Sequence, residues 1–376
     1  MSVLRQDRAG HESIVGTAAN RRQYQTLDGL RGVAALGIVI LHTPHFFDHW
    51  HLPYSFLAVD LFFVLSGFVL AVSYEAKLQS GMTVMHFFRM RLLRLYPLYL
   101  LGTMLGVPVA LMAMKYGGNG LSVEWSQSLF WSSLPLSLLM LPTPTPSLDG
   151  VLYPFNPVLW TIFFEIAVNL LYALLARHLR DNRRLVALVI VSAAALVTYG
   201  LGVERPDGGP TWGTFTGGLS RMMFSFFCGV LICRFRRPVT IHSSLMAASL
   251  VASLVVLFGI PHSNVTALGT ILFVFPVLVL MGASVEPERG LARVFRLLGA
   301  SSYAVYALHK PLYQILLGFL MVASPVKPQS LAPGIGIGYL LLVFAGCVLI
   351  DRFYDMPVRQ LLGTWQRRQT ASNTAG

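Results

Sequence analysis

The chain reads as an all-α integral membrane protein, a bundle of about ten transmembrane helices with both termini in the cytoplasm. Three observations predict it. Of its 376 residues 55% are hydrophobic and only 12% are charged, a composition outside the soluble globular class. Apolar runs of spanning length recur at 27–47, 56–74, 95–114, 157–176, 185–201, 217–234, 241–260, 265–282, 297–321 and 334–352. Lysine and arginine fall in short clusters before the first run and after the second, fourth, sixth, eighth and tenth. If these ten runs cross, every cluster lies on one side, which is then the cytoplasm. The net charge of +12 is therefore membrane topology, and nucleic acid is not an expected partner.

The segment 121–141 has the length to span, but it carries Glu124, Gln127, six serines and Pro135. Spanning would reverse the charge asymmetry halfway along the chain, so it is read as a re-entrant or interfacial piece on the outer side. The proline-rich stretch that follows, with Pro142, Pro144, Pro146, Pro154 and Pro157, is a loop. Residues 1–26 and 363–376 lack apolar periodicity and are read as flexible cytoplasmic tails around a transmembrane domain at 27–362. No cleavable leader is visible, so the first helix is expected to remain as an anchor. Cys228, Cys233 and Cys347 lie inside apolar runs and read as small hydrophobes, without a disulfide or thiol chemistry.

Ionisable residues inside spans are expensive and mark functional sites by default. They are His42, Asp60, Glu165, Arg221, His309 and Lys310. The first span, LDGLRGVAALGIVILHTPHFF, organises the rest. Arg31 and His42 are eleven positions apart, which at 3.6 residues per turn is within roughly 20° of three full turns. Asp28 lies on nearly the same face, so one stripe carries an acid, a guanidinium and an imidazole. Arg31 and His42 are about 16 Å apart along the axis, and something extended must lie between them. The depths of His42 and Glu165 below the outer surface are about 7 and 12 Å. The two suit either a general base held by a carboxylate or a polar pair joining two helices. His45, His49 and His51 have chelating spacing, but Pro44 breaks the helix and no carboxylate set completes a site, so no metal is expected. Arg89, Arg91 and Arg94 at the inner mouth of the third span are either plain positive-inside anchors or a phosphate grip.

Five motifs in order, LDGLRGVAALGIVILH, VDLFFVLSGFVL, FFRMRLLRLYP, NPVLWTIFFEIAVNLLYAL and LGASSYAVYALHKPL, resemble the bacterial membrane acyltransferase-3 family over about residues 25–360. The resemblance implies a ten-helix enzyme of the cytoplasmic (inner) membrane that moves an acyl group, usually acetyl, from cytoplasmic acyl-coenzyme A to a hydroxyl of an envelope or exported glycan. It implies that His42 and Arg31 are the family's essential pair and Glu165 the acid of the W-T-x-x-x-E segment. Ser66 with Gly67, Arg91 with Arg94, and Tyr303, Tyr306 and His309 match further motifs. Asp355 stands where the family more often shows glutamate.

On this reading His42, Glu165 and Arg31 are catalytic, and Arg89, Arg91, Arg94 and Ser66 hold acetyl-CoA or another acyl-CoA as donor. Asp60, Tyr303, Tyr306 and His309 contact substrate. Ser66 also reads as a packing residue, and Lys310 as either a cavity residue or a by-product of a kink at Pro311. His42 would take the acceptor's proton for attack on the thioester, or would carry the acyl group itself. A proton- or anion-coupled transporter is the competing class, because histidine, glutamate and arginine in spans also build relays.

Overall fold

The computed structural model describes residues 24–50, 52–116, 124–144, 150–261, 263–323 and 327–364. Most of both tails therefore lies outside the described residues. Each of the ten expected runs is helical. The helices are α1 (Gln25–Leu41), α2 (Ala58–Gln79), α3 (Val84–Tyr116), α4 (Gln127–Leu138), α5 (Trp160–Leu175), α6 (Asn182–Leu201), α7 (Phe215–Phe235), α8 (Ser244–Gly259), α9 (Asn264–Gly282), α10 (Arg289–Ala323) and α11 (Gly334–Ile350). Eight of these segments are long and apolar enough to cross a membrane.

Helices α1 and α8 have 17 and 16 residues, about 26 and 24 Å, whereas the equally short α5 and α11 are continued by helical turns at Pro157–Leu159 and Asp351–Asp355. Helix α1 is lengthened outward by a separate turn, Pro44–Phe47. Helix α4, at 12 residues and about 18 Å, is too short to cross a hydrocarbon layer of about 30 Å. That agrees with a non-spanning 121–141.

Local chemistry sets several helix starts. Ser126, Asp181, Ser243 and Ser263 each accept a hydrogen bond from a first-turn amide of α4, α6, α8 and α9, as N-caps do. Helix α3 begins at Val84, well before the expected 95, with the Thr83 hydroxyl accepting from the His86 amide at 3.2 Å. Arg89, Arg91 and Arg94 therefore lie inside the helix. A two-residue parallel pairing of Ile241–His242 with Val285–Glu286 joins the entries to α8 and α10. It also fixes α1, because Thr26 Oγ1 donates to Val285 O at 2.5 Å and the Gln25 amide donates to the Glu286 carboxylate at 3.0 Å.

Helix α1 is the centre of the bundle and packs most extensively on α10, with α8 and α2 also against it. Glycines allow this approach: a Cβ at Gly32 would run into Leu298, one at Gly29 into the Phe295 ring and one at Gly299 into Asp28. Helices α2 and α7 meet the same way, Gly67 lying on the Phe226 carbonyl and Gly229 on the Val64 carbonyl, the small-residue contact that helices use in lipid. Large apolar side chains face outward instead, among them Ile190, Val191, Leu245, Leu341 and Leu342. A surface of that kind is satisfied by acyl chains and not by water.

Asp60 corrects one expectation. It is fully buried and does not contact the cavity described below. Its carboxylate takes Arg221 Nε at 3.1 and 3.2 Å and Arg221 Nη2 at 2.7 Å. The remaining donors of Arg221 go to Gly208 O and Phe56 O, each at 3.0 Å. The pair thus clamps α2, α7 and two outer loops together, and its carboxylate is spent on Arg221 instead of facing the cavity. Asp60→Ala should lower unfolding stability by about 3–5 kcal/mol by stranding the guanidinium. The double change Asp60→Leu with Arg221→Met should restore most of that loss in thermal unfolding of the detergent-solubilised protein. A double variant no more stable than Asp60→Ala would refute the clamp.

Candidate active site

A cavity of about 200 Å³ lies between α1, α2, α3, α5 and α10. The polar groups on its wall include Arg31, Ser66, Arg91, Arg94, Thr161, Glu165, Ser302, Tyr303 and Tyr306. Helix α10 supplies Gly299, Ser302, Tyr303 and Tyr306, spaced by three, one and three residues, which is one helical face. The next turn of that face brings His309.

At the end nearest the start of α1, Arg31 Nη2 donates to Asp28 Oδ1 at 2.8 Å and to Gly299 O at 2.9 Å. Arg91 Nη2 donates to Glu165 Oε1 at 2.9 Å, and Ser66 Oγ donates to the same oxygen at 3.2 Å. The Nε atoms of Arg31 and Arg91 are buried with no partner among the described residues. Arg94 lines the cavity from an exposed position. Three guanidinium groups therefore face the cavity here, Arg31 and Arg91 with donors to spare, while Asp351 and Asp355 lie within electrostatic reach of Arg94.

Tyr303 and Tyr306 point their hydroxyls at backbone, Tyr303 to Leu95 O at 2.6 Å and Tyr306 to Val158 O at 3.0 Å. Thr161 donates to the Tyr306 hydroxyl at 2.8 Å. These bonds hold α3, α5 and α10 around the cavity. Pro311 leaves the Ala307 carbonyl without its helical partner, and Asn156 Nδ2 supplies the missing bond at 2.8 Å.

One turn beyond Tyr306, His309 is fully buried and meets His42, the residue that closes α1. His42 Nδ1 and His309 Nε2 are 2.8 Å apart, with the rings within 2° of parallel. The proton positions follow from the neighbours. His309 Nδ1 lies 3.0 Å from Val305 O and 2.8 Å from Tyr306 O; carbonyls only accept, so Nδ1 carries the hydrogen and Nε2 offers a lone pair. His42 therefore donates from Nδ1. Its own Nε2 is left as a lone pair, the arrangement of an oriented general base.

No solved structure matches the chain. Among curated proteins, "Protein 2 in picA locus" of Rhizobium radiobacter is 41% identical over 160 residues, 39% of this chain and 79% of that protein. "Exopolysaccharide production protein ExoZ" of Rhizobium meliloti (strain 1021) is 28% identical over 340 residues, 87% of this chain and 95% of that protein. The model of the acyltransferase domain Acyl_transf_3 matches residues 24–352.

The chain belongs to the acyltransferase-3 family. It is an O-acyltransferase, and the transporter reading is set aside.

In this acyltransferase the expected residues fall into two groups. Arg31, Arg91, Arg94, Ser66, Glu165, Tyr303 and Tyr306 converge on one cavity. The expected pairing of His42 with Glu165 is not formed. Glu165 belongs to Arg91 and Ser66, and the partner of His42 is His309, which was expected to contact substrate. Depth along the two helices was similar, but α5 does not present Glu165 towards the end of α1. Arg89 is a second correction: it is exposed and not on the cavity wall, because two residues from Arg91 is about 200° around a helix. Ser66 faces the cavity while its neighbour Gly67 makes the close helix contact, so the two readings of that motif belong to two adjacent residues. Among the described residues no group of three or more His, Cys, Asp or Glu could hold a metal ion; His51 lies outside them.

The Arg91–Glu165 pair is largely buried, with 14% and 21% of the side chains exposed. A double-mutant cycle with Arg91→Gln and Glu165→Gln, read by thermal unfolding, should give a coupling of about 0.5–3 kcal/mol. Strict additivity of the two changes would mean that the two side chains do not interact.

Proposed function

We propose that this enzyme transfers an acyl group, acetyl in the first instance, from cytoplasmic acyl-CoA to a hydroxyl of an exopolysaccharide or other exported glycan, across the bacterial inner membrane. The observation that carries the reading is the His42–His309 dyad standing beyond one end of a cavity whose other end is arginine-rich. The name of the ExoZ relative supports a glycan acceptor.

The residues suit such a donor. A nucleotide diphosphate needs guanidinium groups with free donors, which Arg31, Arg91 and Arg94 offer at the inner mouth. From Gly299 to His309 is about 15 Å along α10, a distance that the flexible pantetheine arm can follow between Tyr303, Tyr306 and Ser66. The thioester carbon then lies near His42. An acceptor hydroxyl enters from the opposite face, gives its proton to His42 Nε2, and forms the new C–O bond. The thiolate of CoA leaves with that proton. His309 acts through His42 as a positioning residue: its Nε2 fixes the tautomer and accepts the charge-assisted bond when the His42 ring becomes positive.

The decisive comparison uses strains that lack the gene, carry it, or carry His42→Ala at matched membrane levels. Ester-linked acetate on secreted and envelope glycans should be lost on deletion, return with the native chain and stay absent with His42→Ala. Full acetylation by His42→Ala sinks the general-base assignment. His309→Gln should keep the protein folded and reduce transfer by about 100-fold, less than the loss from His42→Ala.

Arg94 has no ion-pair partner among the described residues and should make the clearest contribution to donor affinity. Arg94→Gln should raise the apparent KM for acetyl-CoA by about 10-fold, the worth of one charged hydrogen bond of about 1.5 kcal/mol, with kcat little changed. An unaltered KM would remove Arg94 from the phosphate grip.

A further inference from the structure

Attack on a thioester puts negative charge on the carbonyl oxygen, and sites that accelerate such attack aim a fixed positive group at that oxygen. Around His42 the backbone has the opposite polarity. His42 closes α1: its amide is bonded to Ile38 O, and Thr43 spends its amide on Ile40 O and its hydroxyl on Val39 O. The end of a helix presents negative partial charge from its carbonyls, so no oxyanion hole is formed by these amides. Arg31 is about 16 Å away along the axis, at the cavity's inner end with Arg91 and Arg94.

Lys310 is the cation in the right place. It follows His309 directly in α10, is half-buried, and lies within electrostatic reach of both His42 and His309. Its ammonium is 5.8 Å from the centre of the Tyr313 ring. Among the described residues it pairs with no carboxylate, whereas Arg31, Arg91, Arg221, Arg234 and Arg359 all do. The ring below it is fixed, because the Tyr313 hydroxyl and His45 Nδ1 are 2.6 Å apart. That second bridge between the exit of α1 and α10 lies one turn outside the His42–His309 bridge. A semi-buried ammonium without a counter-charge is costly in a membrane protein and marks a site at which negative charge is received.

We propose that Lys310 stabilises the oxyanion of the transfer, its ammonium holding the thioester carbonyl oxygen while His42 removes the acceptor's proton. This rests on the reading of acyl-CoA as donor and His42 as base. In the step, the acceptor O–H bond breaks to His42 Nε2, the oxygen bonds to the carbonyl carbon, and the carbonyl π pair moves to the oxygen beside Lys310. Collapse returns that pair, breaks the C–S bond, and sends the proton from His42 to the leaving thiolate. Nothing is oxidised or reduced, and Lys310 keeps its protons throughout.

The test uses the full chain in membrane vesicles that contain the producing strain's own glycans, with acetyl-CoA labelled with carbon-13 at the carbonyl. Lys310→Met should lower kcat by about 100-fold, with the dissociation constant for acetyl-CoA and the unfolding temperature unchanged. Lys310→Arg should recover at least a tenth of the native rate. In the inactive His42→Ala background, the bound thioester carbonyl should show an infrared band below that of free acetyl-CoA, and adding Lys310→Met should abolish the shift. The assignment is overturned if Lys310→Met transfers at close to the native rate, if its loss is matched by weaker binding or lower stability, or if the carbonyl band ignores the substitution. A native chain that neither binds nor uses acetyl-CoA would overturn the donor reading first and this assignment with it. Native activity with a silent Lys310→Met would overturn this assignment alone.

Discussion

The close approach of α1 and α10 is the constraint on which the rest of the structure depends. Gly29, Gly32 and Gly299 remove the side chains that would otherwise separate the two helices, and one long interface follows. Its inner end puts Asp28 and Arg31 against the Gly299 carbonyl, and its outer end puts His42 against His309. A bundle with α1 one side-chain layer further from α10 would keep both helices and lose both contacts. The other walls are referred to the same axis, α3 and α5 through Tyr303 and Tyr306.

Inside lipid, backbone polar groups must find partners in the protein, and the partners found here, side chains among them, fix the architecture. Pro311 removes a helical bond and Asn156 replaces it. Arg221 would be prohibitive alone, and its donors are divided among a carboxylate and two carbonyls from separate segments. Glu75 and Asn182 hold Arg234 at the inner surface. Such contacts leave little freedom for neighbouring helices to slide. They explain how a protein with so few charges holds a defined cavity between helices whose remaining contacts are almost wholly apolar.

Much of this was legible in the sequence. Apolar run length and the one-sided arginine clusters located ten helices and demoted 121–141, since both signals depend on one-dimensional properties that a bilayer reads directly. The Arg31–His42 stripe was legible because 3.6 residues per turn is a property of α1 alone. What was not legible is azimuth between helices. Glu165 and His42 have similar depths, and depth says nothing of which way α5 is turned. Asp60 was misassigned for a related reason: Arg221 is 161 residues away, and only the packing of α2 on α7 through Gly67 and Gly229 brings the two charges together. Arg89 groups with Arg91 and Arg94 by proximity along the chain, whereas two residues of helix set it about 200° from Arg91, on another face.

The His42–His309 pair suits its surroundings better than the carboxylate pairing would. A carboxylate beside His42 would need its own counter-charge in an apolar layer, and the one available, Lys310, would then be neutralised. Glu165 already has that arrangement with Arg91, at the cavity's arginine-rich end, where charge is matched by charge. His309 is neutral and needs only the two carbonyls of its own helix to fix its hydrogen. It can orient His42 without adding negative charge to the place where the proposed oxyanion would form. The cost is weaker stabilisation of a protonated His42 than an anion would give. In the mechanism proposed above, a base that holds its proton weakly passes it readily to a leaving thiolate, which is the property that direct transfer through His42 Nε2 would need.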